Sequence, residues 1–416
     1  MTNTAKASAV MEPPLLEVAQ PAKRKKQLRG VSPISKIYEN NKASSFTENM
    51  EQLQKSFDYA SNADANWTYP ELSLLYGSSI YEAASEAQKR ALNHIYWVCF
   101  YNYVMGGEIT TMVANQICCG AFYPIGGYEV VCHSLDLETS QERTHVEAFR
   151  NIGRVTEKAL FGETIFERPM PNYLDASHTK PQVQGRGPLS KIPLMSLQSV
   201  LGQSPFVASQ YFVARGLRNI QAKVKEYQHS AYGKELENAG KPVPAPTLIS
   251  HNHCFDEGYH TATSKFISHE IYRDFKQPNA FEKLTVNAMV RSIQFSMNEL
   301  SVTVPGIFSQ DEQYFSTIYK MLQKPLFGMS SQEALNEMGK AYCQEHEGYH
   351  VAARYHARAL AKNTEFVQDL DHLADFNREL KIMSTASIEK AIRANTAAFR
   401  RFRKKTVKAE GKSYRG

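Results

Sequence analysis

No stretch of the chain is apolar over the roughly eighteen residues that a membrane-spanning helix needs. The beginning of the chain also lacks the uninterrupted apolar segment of a secretion signal, because Glu12, Pro13, Pro14 and Glu17 fall within it. We therefore expect no membrane span and a cytoplasmic location.

Cysteine pairs with metal-binding or redox spacing are also missing. The chain of 416 residues has six cysteines, and none of them forms a C-x-x-C pair. This spacing matches neither zinc nor iron–sulfur patterns, so the cysteines are not expected to bind metal. Reduced thiols in an intracellular protein fit better than a disulfide framework.

The middle of the chain lacks a net positive charge, although the whole chain carries a net charge of +6. The excess of lysine and arginine lies in residues 1–29 and 393–416. We predict a disordered basic segment over 1–45, a folded domain over 46–390, and a basic tail over 391–416. Solvated ends are the simplest interpretation, and nucleic-acid binding is not expected. Capture of an acidic carrier protein is the alternative.

Helix signals dominate the rest of the chain. Ser85 and Gln88 form an S-x-x-Q capping box before a segment with almost no breakers, which predicts a helix to about Cys119. A second helical stretch follows. Proline and glycine over residues 163–193 predict a long irregular connection, and a third helix should run from about Leu194 into the 230s, before a fourth. This pattern predicts an all-α fold with a four-helix bundle core and additional helices.

Residues 251–260 carry histidines and a glutamate at helical spacing. In a helix, His253, Glu257 and His260 share one face, because positions i, i+4 and i+7 stack in successive turns. Two imidazoles and a carboxylate are costly to bury without a partner, and first-row transition metals prefer such ligands. This segment therefore predicts part of a metal site.

A similar set of residues occurs earlier in the chain. Glu142 and His145 form a second Glu-x-x-His pair, and the lone glutamates Glu108 and Glu226 precede the two pairs at similar separations. In antiparallel helical hairpins each lone glutamate returns to about the level of its pair. Two such pairs with two lone glutamates are the ligand set of a four-helix carboxylate-bridged dimetal site. Its many oxygen donors suit iron or manganese.

This order of residues resembles the ferritin-like dimetal oxygenases, and the additional His253 resembles the p-aminobenzoate N-oxygenase branch. The segments 92–97 and 136–145 are also similar to the cylindrocyclophane-type dimetal halogenases, which chlorinate carbon atoms of carrier-bound acyl chains. The resemblance covers roughly residues 67–272. It implies a ferritin-like bundle whose metal ligands are Glu108, Glu142, His145, Glu226, His253, Glu257 and His260.

The resemblance also implies an enzyme with two iron ions, or one iron and one manganese, that uses O2 and an external electron donor. N-oxygenation of a small-molecule amine is the favoured reaction. Halogenation or oxidation of a carrier-bound acyl chain is the alternative, and the basic ends of the chain favour it because carrier proteins are usually acidic. We expect a homodimer.

Three other interpretations compete. A ribonucleotide reductase subunit usually has a tyrosine where this chain has Phe149, and an iron-storage ferritin would be shorter. A helical protein without metal is the third.

A separate H-E-x-x-H pattern, His346 to His350, matches zinc hydrolases. It lacks the glycine that would let the chain turn toward a third ligand, because Ala353 stands there, so His356 should face away.

Overall fold

The computed structural model describes residues 31–166, 200–298 and 312–413, together with residues 28 and 300. Every regular element in these ranges is a helix, which confirms the predicted all-α class. Eleven helices of ten or more residues are numbered here in chain order: α1 (Val31–Lys42), α2 (Phe46–Lys55), α3 (Glu86–Phe122), α4 (Glu129–Phe161), α5 (Pro205–Asn238), α6 (Ala245–His269), α7 (Ala280–Met297), α8 (Glu312–Gln323), α9 (Ser331–Cys343), α10 (Glu347–Val367) and α11 (Ile388–Ser413).

Two helical hairpins form the core. Helix α3 packs along α4, and α5 packs along α6. Each connection is short, so both pairs are antiparallel. Gly126 and Gly127 turn the first connection at φ 71° and 86°, the left-handed region that glycine adopts without strain. Contacts of α3 with α5 and of α4 with α6 join the hairpins into a four-helix bundle.

Helix α3 begins where its sequence signals place it. The Ser85 side chain accepts a hydrogen bond from the Gln88 backbone N–H, and the Gln88 side-chain oxygen accepts one from the Ser85 backbone N–H, which completes the predicted capping box. Residues 91–101 are all buried, because neighbouring helices cover this segment on several sides. The apolar middle of α3 is thus the centre of the core, and Glu108 follows it.

The predicted disordered segment over residues 1–45 is wrong for its last part. Helix α1 begins at Val31 and packs against α4 and α6, with Ile34 and Asn41 buried. Asn41 exchanges two hydrogen bonds with Gln141, at 2.9 and 2.8 Å. A few apolar residues and one buried amide pair hold this segment against the bundle. These are too few residues to change the average composition of the segment, so composition did not predict the helix. Residues 1–27 lie outside the described residues.

The boundary predicted at residue 390 falls inside a helix. Helix α11 runs through most of the expected basic tail and packs on α8 and α9. Phe399 and Phe402 are buried there, so only one face of this segment is solvated. The aromatic residues between the basic ones supply a core-facing stripe, which the charge run concealed.

The third bundle helix starts later than predicted. Ser204 caps α5 by accepting a hydrogen bond from the Val207 N–H, and Pro205 occupies the first turn, where its missing N–H costs nothing. The predicted start near Leu194 and most of the predicted irregular connection, residues 167–193, lie outside the described residues.

Candidate metal centre

The side chains predicted as metal ligands come from all four helices of the bundle. Each is at most 7% exposed, although each can carry a charge. Burial of this many ionisable groups is unfavourable unless they bind each other or a cation. They are Glu108 on α3, Glu142 and His145 on α4, Glu226 on α5, and His253, Glu257 and His260 on α6.

Four of these residues form a first donor group. One donor atom from each of Glu108, His145, His253 and Glu257 lies within 4.8 Å of the others. His253 Nε2 is 2.9 Å from Glu108 Oε1, and His145 Nδ1 is 3.8 Å from the same oxygen. Two imidazole nitrogens and two carboxylates therefore face one point.

A second donor group lies beside the first. It contains Glu142, Glu257 and His260, again with donor atoms within 4.8 Å. His260 Nδ1 is 2.7 Å from Glu257 Oε1 and 3.4 Å from Glu142 Oε1. Glu257 belongs to both groups, so the arrangement fits two neighbouring metal positions that share one carboxylate.

Glu226 is the one predicted ligand that joins neither group. Its Oε1 lies 2.6 Å from His253 Nδ1, on the side of the ring away from Glu108, and its Oε2 is buried without a hydrogen-bond partner. A carboxylate behind a ligating histidine orients the ring and raises its basicity. The structure thus places Glu226 behind His253, and direct ligation by Glu226 stays a prediction.

Each of the other two histidines also has an outer hydrogen-bond partner. His145 Nε2 is 2.8 Å from Asp256 Oδ2, and His260 Nε2 is 3.1 Å from Gln141 Oε1. Because an amide oxygen can only accept, His260 Nε2 carries the hydrogen and Nδ1 is the nitrogen that faces the glutamates. All three imidazoles are therefore held with one nitrogen toward the donor groups.

Asp256 and Gln141 were missed in the sequence, although a signal for them exists. Gln141 directly precedes Glu142, and Asp256 directly precedes Glu257, so each pair has a polar residue at the same place. Each partner crosses to the opposite helix, and Gln141 Nε2 donates to Asp256 Oδ1 at 3.0 Å. The two halves of the site are thus joined by a reciprocal exchange of hydrogen bonds.

Comparison with known families agrees with this geometry. The family model described as "Acyl halogenase CylC-like" matches residues 30–185 and 175–403, which together are most of the chain. This protein belongs to the CylC-like acyl halogenase family. No curated protein and no solved structure matches the chain. Both donor groups and all three outer partners lie inside the region that matches the CylC-like family.

The electrostatics of this CylC-like site favour protons on the imidazoles when metal is absent. Burial opposes a charge on His145, but hydrogen bonds with Asp256 and Glu142 outweigh it and raise its pKa to about 9. Burial is likewise outweighed at His253 by Glu226 and at His260 by Glu257, and both pKa values rise well above the usual range. The protons neutralise carboxylates that metal ions would otherwise neutralise.

Metal uptake should therefore release protons and weaken with falling pH. Since the pKa of His145 is raised to about 9, this histidine is protonated near neutral pH and must lose its proton before Nδ1 can bind a metal. We expect proton release on anaerobic addition of Fe²⁺ or Mn²⁺ to metal-free protein in weak buffer, and tighter uptake at about pH 8 than at about pH 6. Uptake with no proton release and no pH dependence would contradict this.

A buried ion pair lies one helical turn from the second group. Arg215 Nη2 on α5 is 2.5 Å from Glu138 Oε2 on α4, and both residues are at most 2% exposed. Asn219, one turn after Arg215, donates to Glu257 Oε2 at 2.9 Å. These contacts connect α5 to the ligand-bearing helices and fix the outer oxygen of the shared glutamate.

Helix α5 holds a third Glu-x-x-His pair, which sequence analysis did not use. His229, three residues after Glu226, is fully buried, and neither of its ring nitrogens has a hydrogen-bond partner. Burial lowers its pKa to about 3, so the ring is neutral. Among the described residues, His229 joins neither donor group.

The H-E-x-x-H pattern does not form a zinc site. His346 is the N-cap of α10, where Nδ1 accepts from the Gly348 N–H at 3.2 Å and Nε2 lies 2.9 Å from the Ala341 carbonyl. His350 is exposed and pairs with Glu345. His356 is buried and donates to the Met383 carbonyl at 3.0 Å, away from both.

No helix in the described ranges is long and apolar enough to cross a membrane.

Proposed function

We propose that this protein is a dimetal halogenase that replaces a C–H bond of an acyl chain with a carbon–halogen bond. The observation that carries this proposal is a match to an acyl halogenase family over a region that holds two adjacent donor groups. N-oxygenation of an amine, which the sequence favoured, has no support from the family match and stays an untested prediction.

The donor set fits two metal ions. Glu108 Oε2 is buried without a hydrogen-bond partner, and burial outweighs the contact with His253 and raises the pKa of Glu108 to about 7. A metal ion would bind this free oxygen and favour the ionised carboxylate. Three of the six residues in the two groups are glutamates and three are histidines, and sites that combine carboxylate oxygens with imidazole suit iron or manganese. Glu108, His145, His253 and Glu257 would hold one ion, while Glu142, Glu257 and His260 would hold the other.

Two iron ions, or one iron and one manganese, would supply the redox chemistry for activation of O2 when they are bound. The overall reaction balances with one acyl C–H group, one halide ion, one O2, two electrons from an external donor and three protons. Its products are one carbon–halogen bond and two water molecules. The acyl carbon is oxidised, and O2 is reduced by the substrate and the donor together.

The protein itself contributes orientation and exclusion of water. Asp256, Glu226 and Gln141 hold the three imidazoles in fixed orientations through their outer nitrogens. On the α3 side, the ring of Phe149 lies 5.0 Å from that of His253 and 4.0 Å from that of Tyr101. These rings form an apolar wall that keeps water from one side of the first donor group.

Product analysis tests the proposal directly. Iron-loaded protein would be mixed with O2, a chemical reductant, chloride and acyl chains offered as free acids, as small thioesters and as carrier-bound thioesters. We expect a product with the mass and isotope pattern of one added chlorine, and the corresponding bromine pattern when bromide replaces chloride. Oxygenated or N-oxidised products without any halogenated product would contradict the proposal.

We further propose that an acidic carrier protein presents the acyl chain by docking on α11. The exposed face of this helix carries Arg400, Arg403, Lys404 and Lys408, while Phe399 and Phe402 anchor its other face. A basic surface speeds capture of an acidic partner through long-range attraction, which salt screens.

Reversal of charge on α11 tests the docking proposal without exposing the core. The variant Arg400→Glu, Arg403→Glu and Lys404→Glu should lower kcat/KM for a carrier-bound substrate roughly tenfold or more at low salt, and much less at high salt. Turnover of a small thioester should not change. If the charge-reversal variant and the wild-type protein turn over the carrier-bound substrate at equal rates at low salt, docking on α11 is contradicted.

A further inference from the structure

A continuous series of aromatic rings connects the candidate metal centre with the surface. The ring of Tyr101 lies 5.8 Å from that of His253, measured between centroids, and the ring of Trp97 lies 4.4 Å from that of Tyr101. Trp67 follows at 5.9 Å from Trp97 in an edge-to-face contact. These rings and Tyr59 are called the aromatic path below.

The outer end of the aromatic path is Tyr59. Its ring lies 6.2 Å from that of Trp67. Trp67, Trp97 and Tyr101 are fully buried, whereas Tyr59 is half-buried and reaches the solvent. The path therefore leads from a buried centre to the surface through rings in direct or near contact.

Composition separates this path from ordinary core packing. The whole chain has only two tryptophans, and both lie in the path, one after the other. Packing alone does not require indole, because phenylalanine fills a core without a polar N–H that needs a partner. Indole and phenol are, however, the side chains that give up one electron most readily.

The outer tyrosine has a built proton acceptor. His94 Nε2 is 2.8 Å from the Ala65 carbonyl, which can only accept, so Nε2 carries the hydrogen and Nδ1 is unprotonated. Tyr59 then donates its hydroxyl hydrogen to His94 Nδ1 at 3.0 Å. The His94 ring also stacks on Trp67 at 4.1 Å. The last indole, the phenol and its proton acceptor thus form one contact cluster.

The two indoles keep their protons through hydrogen bonds to oxygen. Trp97 Nε1 donates to Ser250 Oγ at 2.8 Å, and Trp67 Nε1 donates to the Asn62 carbonyl at 3.0 Å. Neither contact provides a strong base. Along the path, only the Tyr59 step is therefore coupled to movement of a proton.

We propose that the aromatic path carries single electrons from Tyr59 to the metal centre when an oxidant formed there is not consumed by substrate. This inference rests on the proposed function. Trp97 gives one electron to the centre across the Tyr101 ring, Trp67 reduces Trp97, and Tyr59 reduces Trp67. The Tyr59 proton passes to His94 Nδ1. A soluble one-electron reductant of the ascorbate or thiol class then reduces the Tyr59 radical, and His94 returns the proton.

The test follows protein radicals and oxidised side chains rather than turnover. Chemically reduced, iron-loaded protein is exposed to O2 without acyl substrate and frozen for electron paramagnetic resonance, and a parallel sample is digested for mass spectrometry. Tyr59→Phe removes one hydroxyl and keeps the ring. Tyr128→Phe, in a separate ring cluster with Phe122 and Phe275, is the matched control.

In wild-type and Tyr128→Phe protein we expect the resonance signal of a tyrosyl radical, and this signal should become narrower when the tyrosine rings are deuterated. In Tyr59→Phe protein this signal should be replaced by a tryptophan radical, and oxygen addition to Trp67 and Trp97 should rise several-fold. Trp67→Phe should abolish the Tyr59 radical. Trp67→Tyr, which keeps an oxidisable ring, should restore it and so excludes a merely structural effect.

Other results overturn the inference in distinguishable ways. If metal-loaded protein forms no radical, or forms the same radical and the same oxidised residues in all variants, electron transfer along the aromatic path is contradicted, whatever the product analysis shows. If the Tyr59 radical forms but the separate product analysis with acyl substrates gives no halogenated product, electron transfer along the path is supported and the proposed function is contradicted. Protein that takes up no metal overturns both.

Discussion

Replacing Glu257 with alanine is expected to abolish binding of both metal ions and all turnover. Glu257 belongs to both donor groups, and its Oε1 lies 2.7 Å from His260 Nδ1. Its removal leaves each group one carboxylate short, and the charges of the two metals lose the ligand that they share. Metal content measured by elemental analysis after iron loading should fall from about two ions per chain to nearly none.

The matched control for this variant is His350→Ala. His350 lies in the H-E-x-x-H pattern, but it is exposed and pairs with Glu345 at 3.1 Å. Metal content and activity should therefore stay at the wild-type level. Loss of metal in His350→Ala but not in Glu257→Ala would move the site to α10, and thermal unfolding of both metal-free variants would show whether either change acts through the fold.

The largest effect on stability is expected at the buried ion pair. Glu138→Ala leaves the Arg215 guanidinium charged and buried, because Arg215 is 2% exposed and Glu138 is its ion-pair partner at 2.5 Å. An unpaired buried charge of this kind lowers the free energy of unfolding by about 3–5 kcal/mol. Urea unfolding of metal-free protein measures the difference without contribution from metal binding.

A double variant separates the charge from the packing. Glu138→Leu with Arg215→Met removes both charges and keeps apolar volume, so most of the lost stability should return. An exposed pair gives the reference: Arg393→Ala breaks a contact with Glu389 at 3.2 Å and should change stability by at most about 0.5 kcal/mol. A Glu138→Ala effect as small as this would show that water reaches Arg215.

Spacing along single helices predicted much of this fold and site. The capping box at Ser85, the four bundle helices and the Glu-x-x-His pairs are local features, and local features survive in a sequence read alone. The six residues of the two donor groups stand at such spacings, and the structure brings them together. Their convergence follows once the hairpins are antiparallel.

Features that depend on register between helices could not be predicted. Glu226 was placed by its separation from Glu257, but the packing of α5 on α6 sets it level with His253 instead. Asp256 and Gln141 bind histidines of the opposite helix, which no spacing along one helix reveals. Helix α1 and the buried face of α11 were not predicted for a different reason. Composition is an average over a segment, and in these segments a few buried residues stand among many charged ones.

The central claim is that one chain holds two metal ions in the bundle. Native mass spectrometry of protein purified from iron-supplemented cells, combined with elemental analysis, counts and identifies them. The two donor groups that share Glu257 predict two iron ions, or one iron and one manganese, per chain. A single zinc ion, or a chain without metal after loading, would contradict the account.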